Sequence, residues 1–190
     1  MGKRVAKQSG FTLVEISLAM AIFTFMLLVV SLAYINIARL YSASTAARNV
    51  QQNNRFAMEQ MSRVARTSNS ARMVTGAVKG LCFESATATT FFYLRSVGGS
   101  DALKNELVQA KACVNPEVNS PQILTSEGSY AARLEADTSS AGTVTARLWM
   151  MSRTDLLNTI DPNNLTCKSG AGSEFCAINK LTTTVELRGE

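Results

Sequence analysis

Residues 11–33 form an apolar run broken by one charge, the carboxylate of Glu15. Coiled as a helix at 1.5 Å per residue, this run reaches about 34 Å, enough for a hydrocarbon core of about 30 Å. No other feature constrains the fold so strongly, because such a run must find lipid or other apolar helices. A charge at membrane depth costs on the order of 2.5–3.5 kcal/mol, so Glu15 needs a partner. Without one it would snorkel its carboxylate to the headgroups. Before the run stands MGKRVAK, whose Lys3, Arg4 and Lys7 hold the N-terminus in the cytoplasm and send the C-terminal part of the chain across. A secretory signal cut after Ala33 fits the small-x-small string Ser31-Leu32-Ala33. The run is too long for a usual signal core, however, and Glu15 argues against it. An uncleaved anchor is the other plain reading, and it has no use for Glu15.

Gly10 followed by Phe11-Thr12-Leu13-Val14-Glu15 and the apolar run resembles the class III signal of type IV pilins and type II secretion pseudopilins. The resemblance implies cleavage between Gly10 and Phe11 by a prepilin peptidase, then N-methylation of Phe11. Gly10 suits the cut, since a residue without a side chain lets the backbone enter a peptidase site closely. The resemblance further implies that Glu15 is the assembly residue. Its carboxylate would meet the positively charged Phe11 amine of a neighbouring subunit, and the pair would set the axial register of the filament. Other pilins or pseudopilins and an inner-membrane assembly platform are the implied partners. The chain would lie in the inner membrane as a single-pass protein with a cytoplasmic N-terminus, then in a periplasmic or cell-surface filament.

Past the apolar run the helix is expected to continue to about residue 68, since no Gly or Pro occurs between Phe11 and Thr75. At 100° per residue Ala43, Ala46, Val50, Ala57, Met61 and Val64 share one side, while Arg48, Arg55, Glu59, Arg63 and Arg66 share the opposite one. Arg55–Glu59 and Glu59–Arg63 are spaced for i,i+4 pairs. The apolar stripe would hold a sheet and the arginine face would meet water or neighbouring subunits. No aromatic residues interleave with that face as a nucleic-acid surface would require, so DNA is a disfavoured partner, relevant only if the filament takes up DNA.

From residue 76 the texture turns to strands and turns. ATTFFYLRS (88–96), YAARLEAD (130–137), GTVTARLWMM (142–151) and LTTTVELRG (181–189) are rich in β-branched and aromatic residues. A loop of about five residues, 138–142, joins the second and third as a hairpin. ALKNELVQA (102–110) reads equally as helix or strand. The expected fold is α+β, a long N-terminal helix packed on an antiparallel sheet. Its divisions are a leader at 1–10, a transmembrane and assembly helix at 11–33, its amphipathic continuation at 34–70 and a β-rich head at 71–190. The head carries eleven basic and twelve acidic side chains, so the net charge of +5 belongs to the leader and stalk. The Thr-Val-x-Leu-Arg string at 184–188 resembles the last strand of minor pilins and minor pseudopilins. A minor, tip-initiating subunit is therefore favoured over a major shaft subunit. A membrane-anchored or secreted periplasmic binding protein is the alternative from another class.

Cys82, Cys113, Cys167 and Cys176 all lie beyond the apolar run, which suits an oxidising compartment and two disulfides. Three pairings are open; Cys167–Cys176 with Cys82–Cys113 is favoured. Zinc is disfavoured, because the spacings are not C-x-x-C and the chain has no His. The lack of His also removes the commonest general base, and no phosphate-cradling loop occurs, GAGSEF (170–175) lacking both a Lys and a preceding strand. Asp155 and Asp161 read as solvated turn residues, and Asn164-Leu165-Thr166 as a chance sequon. No catalytic residue, metal or cofactor is expected, and the chain reads as a structural protein rather than an enzyme.

Overall fold

The computed structural model describes residues 11–75, 78–97, 103–113, 116, 121–126, 128–139, 142–152, 160–161, 163–168 and 176–188. Lys3, Arg4, Lys7, Gly10, Gly76, Asp155 and GAGSEF lie outside the described residues. One helix, α1 (Leu13–Arg66), contributes to each of two units, Met1–Tyr41 and Ser42–Glu190.

In the first unit α1 is apolar around its whole circumference. Phe11, Leu13, Leu18, Phe25, Leu32 and Tyr41 are all exposed, and this stretch is long and apolar enough to cross a membrane. The three Ser and Thr side chains of α1 within it turn inward. Ser17 Oγ donates to the Val14 carbonyl at 2.9 Å, Thr24 Oγ1 to Ala21 at 2.9 Å and Ser31 Oγ to Leu27 at 2.8 Å. Hydroxyls that bond to their own helix present hydrocarbon outward. Glu15 is then the only ionised side chain from Phe11 to Ala38.

In the second unit α1 buries Val50, Asn54, Ala57, Met58, Met61 and Ala65, a stripe at i, i+4, i+7 and i+8 spacing. It ends at Thr67-Ser68-Asn69, residues that compete with the backbone for hydrogen bonds. The hydroxyls of Thr67 and Ser68 both donate to the Val64 carbonyl, at 2.9 and 2.8 Å, and the Thr67 backbone N–H donates to it at 3.1 Å, so this helix-end acceptor is satisfied locally.

Two antiparallel sheets share this stripe. The first runs β1 (Ser70–Val74), β2 (Gly80–Glu84), β3 (Thr89–Ser96), β4 (Asn105–Ala110), β5 (Gln122–Ile123) in sequence order. The second has the order β10 (Ile178–Glu186), β7 (Thr143–Ser152), β6 (Ser129–Ser139). A short pair, β8 (Ile160–Asp161) and β9 (Thr166–Cys167), stands apart. The α+β architecture matches expectation, with two large sheets in place of one. ALKNELVQA resolves as strand β4. The β6–β7 hairpin is tighter than expected, because pairing continues to Ser139↔Thr143. Thr138 and Ser139 extend β6 rather than entering the turn, as suits a β-branched residue and its neighbour on a pleated surface.

Alternation within each strand sorts the side chains into an inner and an outer set. Leu81, Phe83, Phe92, Leu107, Leu134, Val144, Ala146, Leu148, Met150 and Val185 face the helix and form one core with it. Phe83 and Phe92 meet edge to face there, with centroids 5.9 Å apart. The outer face of the first sheet carries a separate cluster of Cys82, Phe91, Tyr93, Val108 and Ala110. The outer face of the second carries Tyr130, Ala132, Met151, Ile160 and Leu165. Tyr130-Ala131-Ala132, three apolar residues in succession, precede a register shift between Ala131 and Arg133, and both faces of β6 are covered there. Ala131 enters the core while Tyr130 and Ala132 join the outer cluster, and the extra residue of the bulge then keeps Arg133 on that same outer side, over the Trp149 ring.

Gly80 makes the first outer cluster possible. It pairs with Tyr93, and the Phe91 ring lies over it. A Cβ here would stand 2.8 Å from two Phe91 ring atoms and press on the Phe92 carbonyl oxygen. Gly80→Ala is expected to cost roughly 2–3 kcal/mol of stability, as overpacking of a filled site does. Denaturant unfolding of the full chain checks this; an unchanged midpoint would mean that the ring moves aside freely.

Candidate functional site

Phe11 and Thr12 precede the first helical residue, Leu13. Thr12 is therefore the N-cap and Glu15 the third residue of the helix. Their side chains bond reciprocally. The Thr12 backbone N–H and hydroxyl each donate to Glu15 Oε2 at 2.9 Å, and the Glu15 backbone N–H donates to Thr12 Oγ1 at 3.3 Å. The Thr12 carbonyl accepts the first helical bond, from Ile16 N–H at 3.3 Å. This is a capping box, in which two helix-end donors are satisfied by two side chains. The Thr-x-x-Glu spacing stood in the sequence, and this was the role that reading Glu15 only as a charge overlooked.

The cap uses one carboxylate oxygen. Among the described residues Oε1 of Glu15 accepts no hydrogen bond, and an ionised carboxylate offers about four lone-pair sites. Thr12 supplies dipoles, not a positive charge, so among the described residues the net charge of Glu15 is uncompensated. In water this matters little. In an apolar bundle it leaves a carboxylate that gains strongly from a cation. Phe11, where the expected cleavage would create an amine, is one residue before the cap and is 84% exposed.

Cys82 stands on the outer face of the first sheet, Cys113 follows β4, Cys167 lies in β9 and Cys176 shortly precedes β10. Cys82 bonds to Cys113, and Cys167 to Cys176, each with Cα atoms 5.9 Å apart. Cys82 is buried in the cluster that Phe91 and Tyr93 stack within, at 5.3 Å. Cys176 packs beside Ile160 and Leu165 on the other sheet. The first disulfide ties the segment after β4 to the outer cluster of the first sheet, and the second ties β9 to the residue Cys176 beside the outer cluster of the second sheet. Asp161 shapes the turn beneath the second one, accepting from Asn163 N–H at 2.9 Å and from Asn164 Nδ2 at 3.2 Å. The Asn163 bond, foremost, holds its carboxyl below the usual aspartate range. Leu165 takes a left-handed φ of 50° to close that turn and bury its side chain. Among the described residues no group of three His, Cys, Asp or Glu side chains is placed to hold a metal ion.

The helix face opposite the core carries the arginines. Arg48, Arg55, Glu59, Arg63 and Arg66 are all exposed. Only the Arg63–Glu59 pair forms, at 3.9 Å and well exposed, which is worth little to stability. One polar residue on the core side was missed. Asn54 is completely buried, donating to the Leu148 and Asn179 carbonyls at 3.3 and 3.0 Å and to Asn179 Oδ1 at 2.8 Å. Its position four residues after Val50 was the signal, since it falls in the phase of the apolar stripe.

Residues 5–31 match the family described as the prokaryotic N-terminal methylation motif. That motif supports a pilin-like or pseudopilin-like N-terminal segment in this chain. The match covers the leader end, the capping box and most of the apolar helix, and it leaves the head to be read from its own structure. No curated protein and no solved structure matches the chain. The prepilin signal and apolar helix fit membrane anchoring before assembly into a filament.

Proposed function

We propose that this pilin-like chain is a minor subunit of a type IV pilus or type II secretion pseudopilus, acting at or near the tip where assembly starts. A prepilin peptidase cuts between Gly10 and Phe11, and Phe11 is N-methylated. Lys3, Arg4 and Lys7 keep the leader in the cytoplasm until the cut, and the head faces the periplasm. An inner-membrane assembly platform then moves α1 from lipid into a bundle of neighbouring helices. The observation that carries this reading is the exposed, apolar first-unit part of α1, whose one carboxylate, Glu15, has no cation beside it among the described residues. Among the described residues nothing covers this segment, and its charge selects a docked position over a free one.

N-terminal sequencing with intact mass measurement tests the processing step. The mature chain is expected to begin at methylated Phe11. A start at Tyr34 would place the chain among secreted proteins, and an intact Met1 among simple anchors. Immunogold labelling of sheared filaments then addresses the role. Gold confined to one fibre end is expected, whereas labelling along the length would assign a major shaft subunit.

A further inference from the structure

The arginine face of α1 is little used within the chain among the described residues. Arg48, Arg55 and Arg66 form no ion pair among the described residues, and Arg63 shares its single exposed bond with Glu59. These residues fall on one ridge of the helix, from Arg48 to Arg66, about 27 Å long. Beside them lies Phe56, 46% exposed, one of two large apolar side chains exposed among the described residues of the second unit. Arginine grouped around an exposed aromatic is the composition of a protein–protein contact centre. Long guanidinium side chains line the rim, and the ring supplies the desolvated middle.

We infer that this ridge docks against an acidic surface of a different filament subunit, not against a second copy of this chain. The inference rests on the filament reading above. Charge decides the identity of the partner. The same ridge on a second copy would offer one carboxylate, Glu59, to four guanidinium groups. The open face of the β10–β7–β6 sheet does no better. There Glu135, Asp137 and Glu186 alternate with Arg133, Arg147 and Lys180, so that face carries no net charge. A surface presenting three or more carboxylates along about 27 Å complements the ridge, and this chain does not display one among its described residues. A protein is favoured over nucleic acid because Glu59 sits in mid-ridge, where it would repel phosphates, and because Phe56 gains only from an apolar counterpart. Like-charge repulsion between copies makes the contact selective for a non-self neighbour.

The test places the photo-crosslinker p-benzoylphenylalanine at Phe56 in the full chain, expressed with its native filament system. Filaments are sheared off and irradiated, and crosslinked peptides are identified by mass spectrometry. The expected product joins this chain to another subunit, in a segment carrying at least three Asp or Glu residues within about 27 Å of helix or strand. The double variant Arg48→Glu/Arg55→Glu is expected to lower its yield roughly tenfold or more, while Arg48→Lys/Arg55→Lys keeps most of it. Crosslinks to a second copy, to DNA or to lipid overturn the inference, as does no crosslink in filaments that contain the chain. Incorporation is scored on the same filaments. A chain that incorporates but crosslinks to itself leaves the filament reading standing, and a chain that never incorporates removes both.

Discussion

Glu15→Gln is expected to leave α1 intact and to remove the chain from filaments. Glutamine at the third helical position still accepts from the Thr12 N–H and hydroxyl, so the capping box survives. The charge alone disappears. In the assembled bundle the neighbour's Phe11 amine would then lie unpaired at a depth where an unpaired charge costs about 2.5–3.5 kcal/mol, which is roughly a hundredfold in the docking equilibrium. Thr12→Ala is the reciprocal variant. It removes the hydroxyl cap, at a cost of about 0.5–2 kcal/mol to the helix start, and it keeps the carboxylate. Quantitative immunoblots of sheared filaments against membranes should show Glu15→Gln almost absent from filaments and Thr12→Ala within a few-fold of the parent chain. The opposite ranking would make Glu15 a helix cap and nothing more, and the charge-register mechanism would have to be abandoned.

The second large effect concerns the Cys82–Cys113 bond. It closes 31 residues of sequence separation, against 9 for Cys167–Cys176. In the chain-entropy model these loops correspond to about 3.7 and 2.7 kcal/mol. Cys82→Ala/Cys113→Ala also loosens the segment that covers Phe91 and Tyr93, so part of the first sheet's outer cluster is opened to water. For a unit of this size the double variant is expected to lower Tm by about 10 °C, and Cys167→Ala/Cys176→Ala by several degrees less. Alanine is the appropriate replacement, because serine would bury an unpaired hydroxyl at Cys82. Thermal unfolding of the full chain in detergent, without reductant, gives both numbers. A loss below about 3 °C for the first pair would mean that the outer cluster holds its loop without covalent help.

The fold was legible wherever one period ran uninterrupted. The apolar run and the arginine-backed stripe share the helical period of α1, and no Gly or Pro breaks it. The long strands β3, β6, β7 and β10 were visible through their β-branched and aromatic content. The strand β2, Gly-Leu-Cys-Phe-Glu, was not, because both of its faces are covered. Leu81 and Phe83 enter the core while Cys82 enters the outer cluster, and without a polar side the alternation vanishes. The strand β1 escaped notice because its ladder to β2 is decided by pairing across the chain, from Ser70↔Glu84 to Val74↔Gly80. Asn54 escaped because a polar residue is read as exposed until its acceptors, the Leu148 and Asn179 carbonyls, are seen beside it.

The sequence by itself determined the part governed by local chemistry. A methylation motif, an apolar helix, a lone carboxylate and an opposed arginine ridge all depend on residues a few positions apart, and periodicity alone places them. The tertiary structure decided which residues share a surface across long separations. It divided the β residues between two sheets, set each disulfide beside an outer cluster, and showed Glu15 bound to Thr12 yet, among the described residues, uncompensated in charge. The reason is that hydrophobic burial is non-directional: it draws apolar side chains inward without specifying their partners. Those are selected by strand register, close packing and hydrogen-bond geometry, which exist only once the chain has folded.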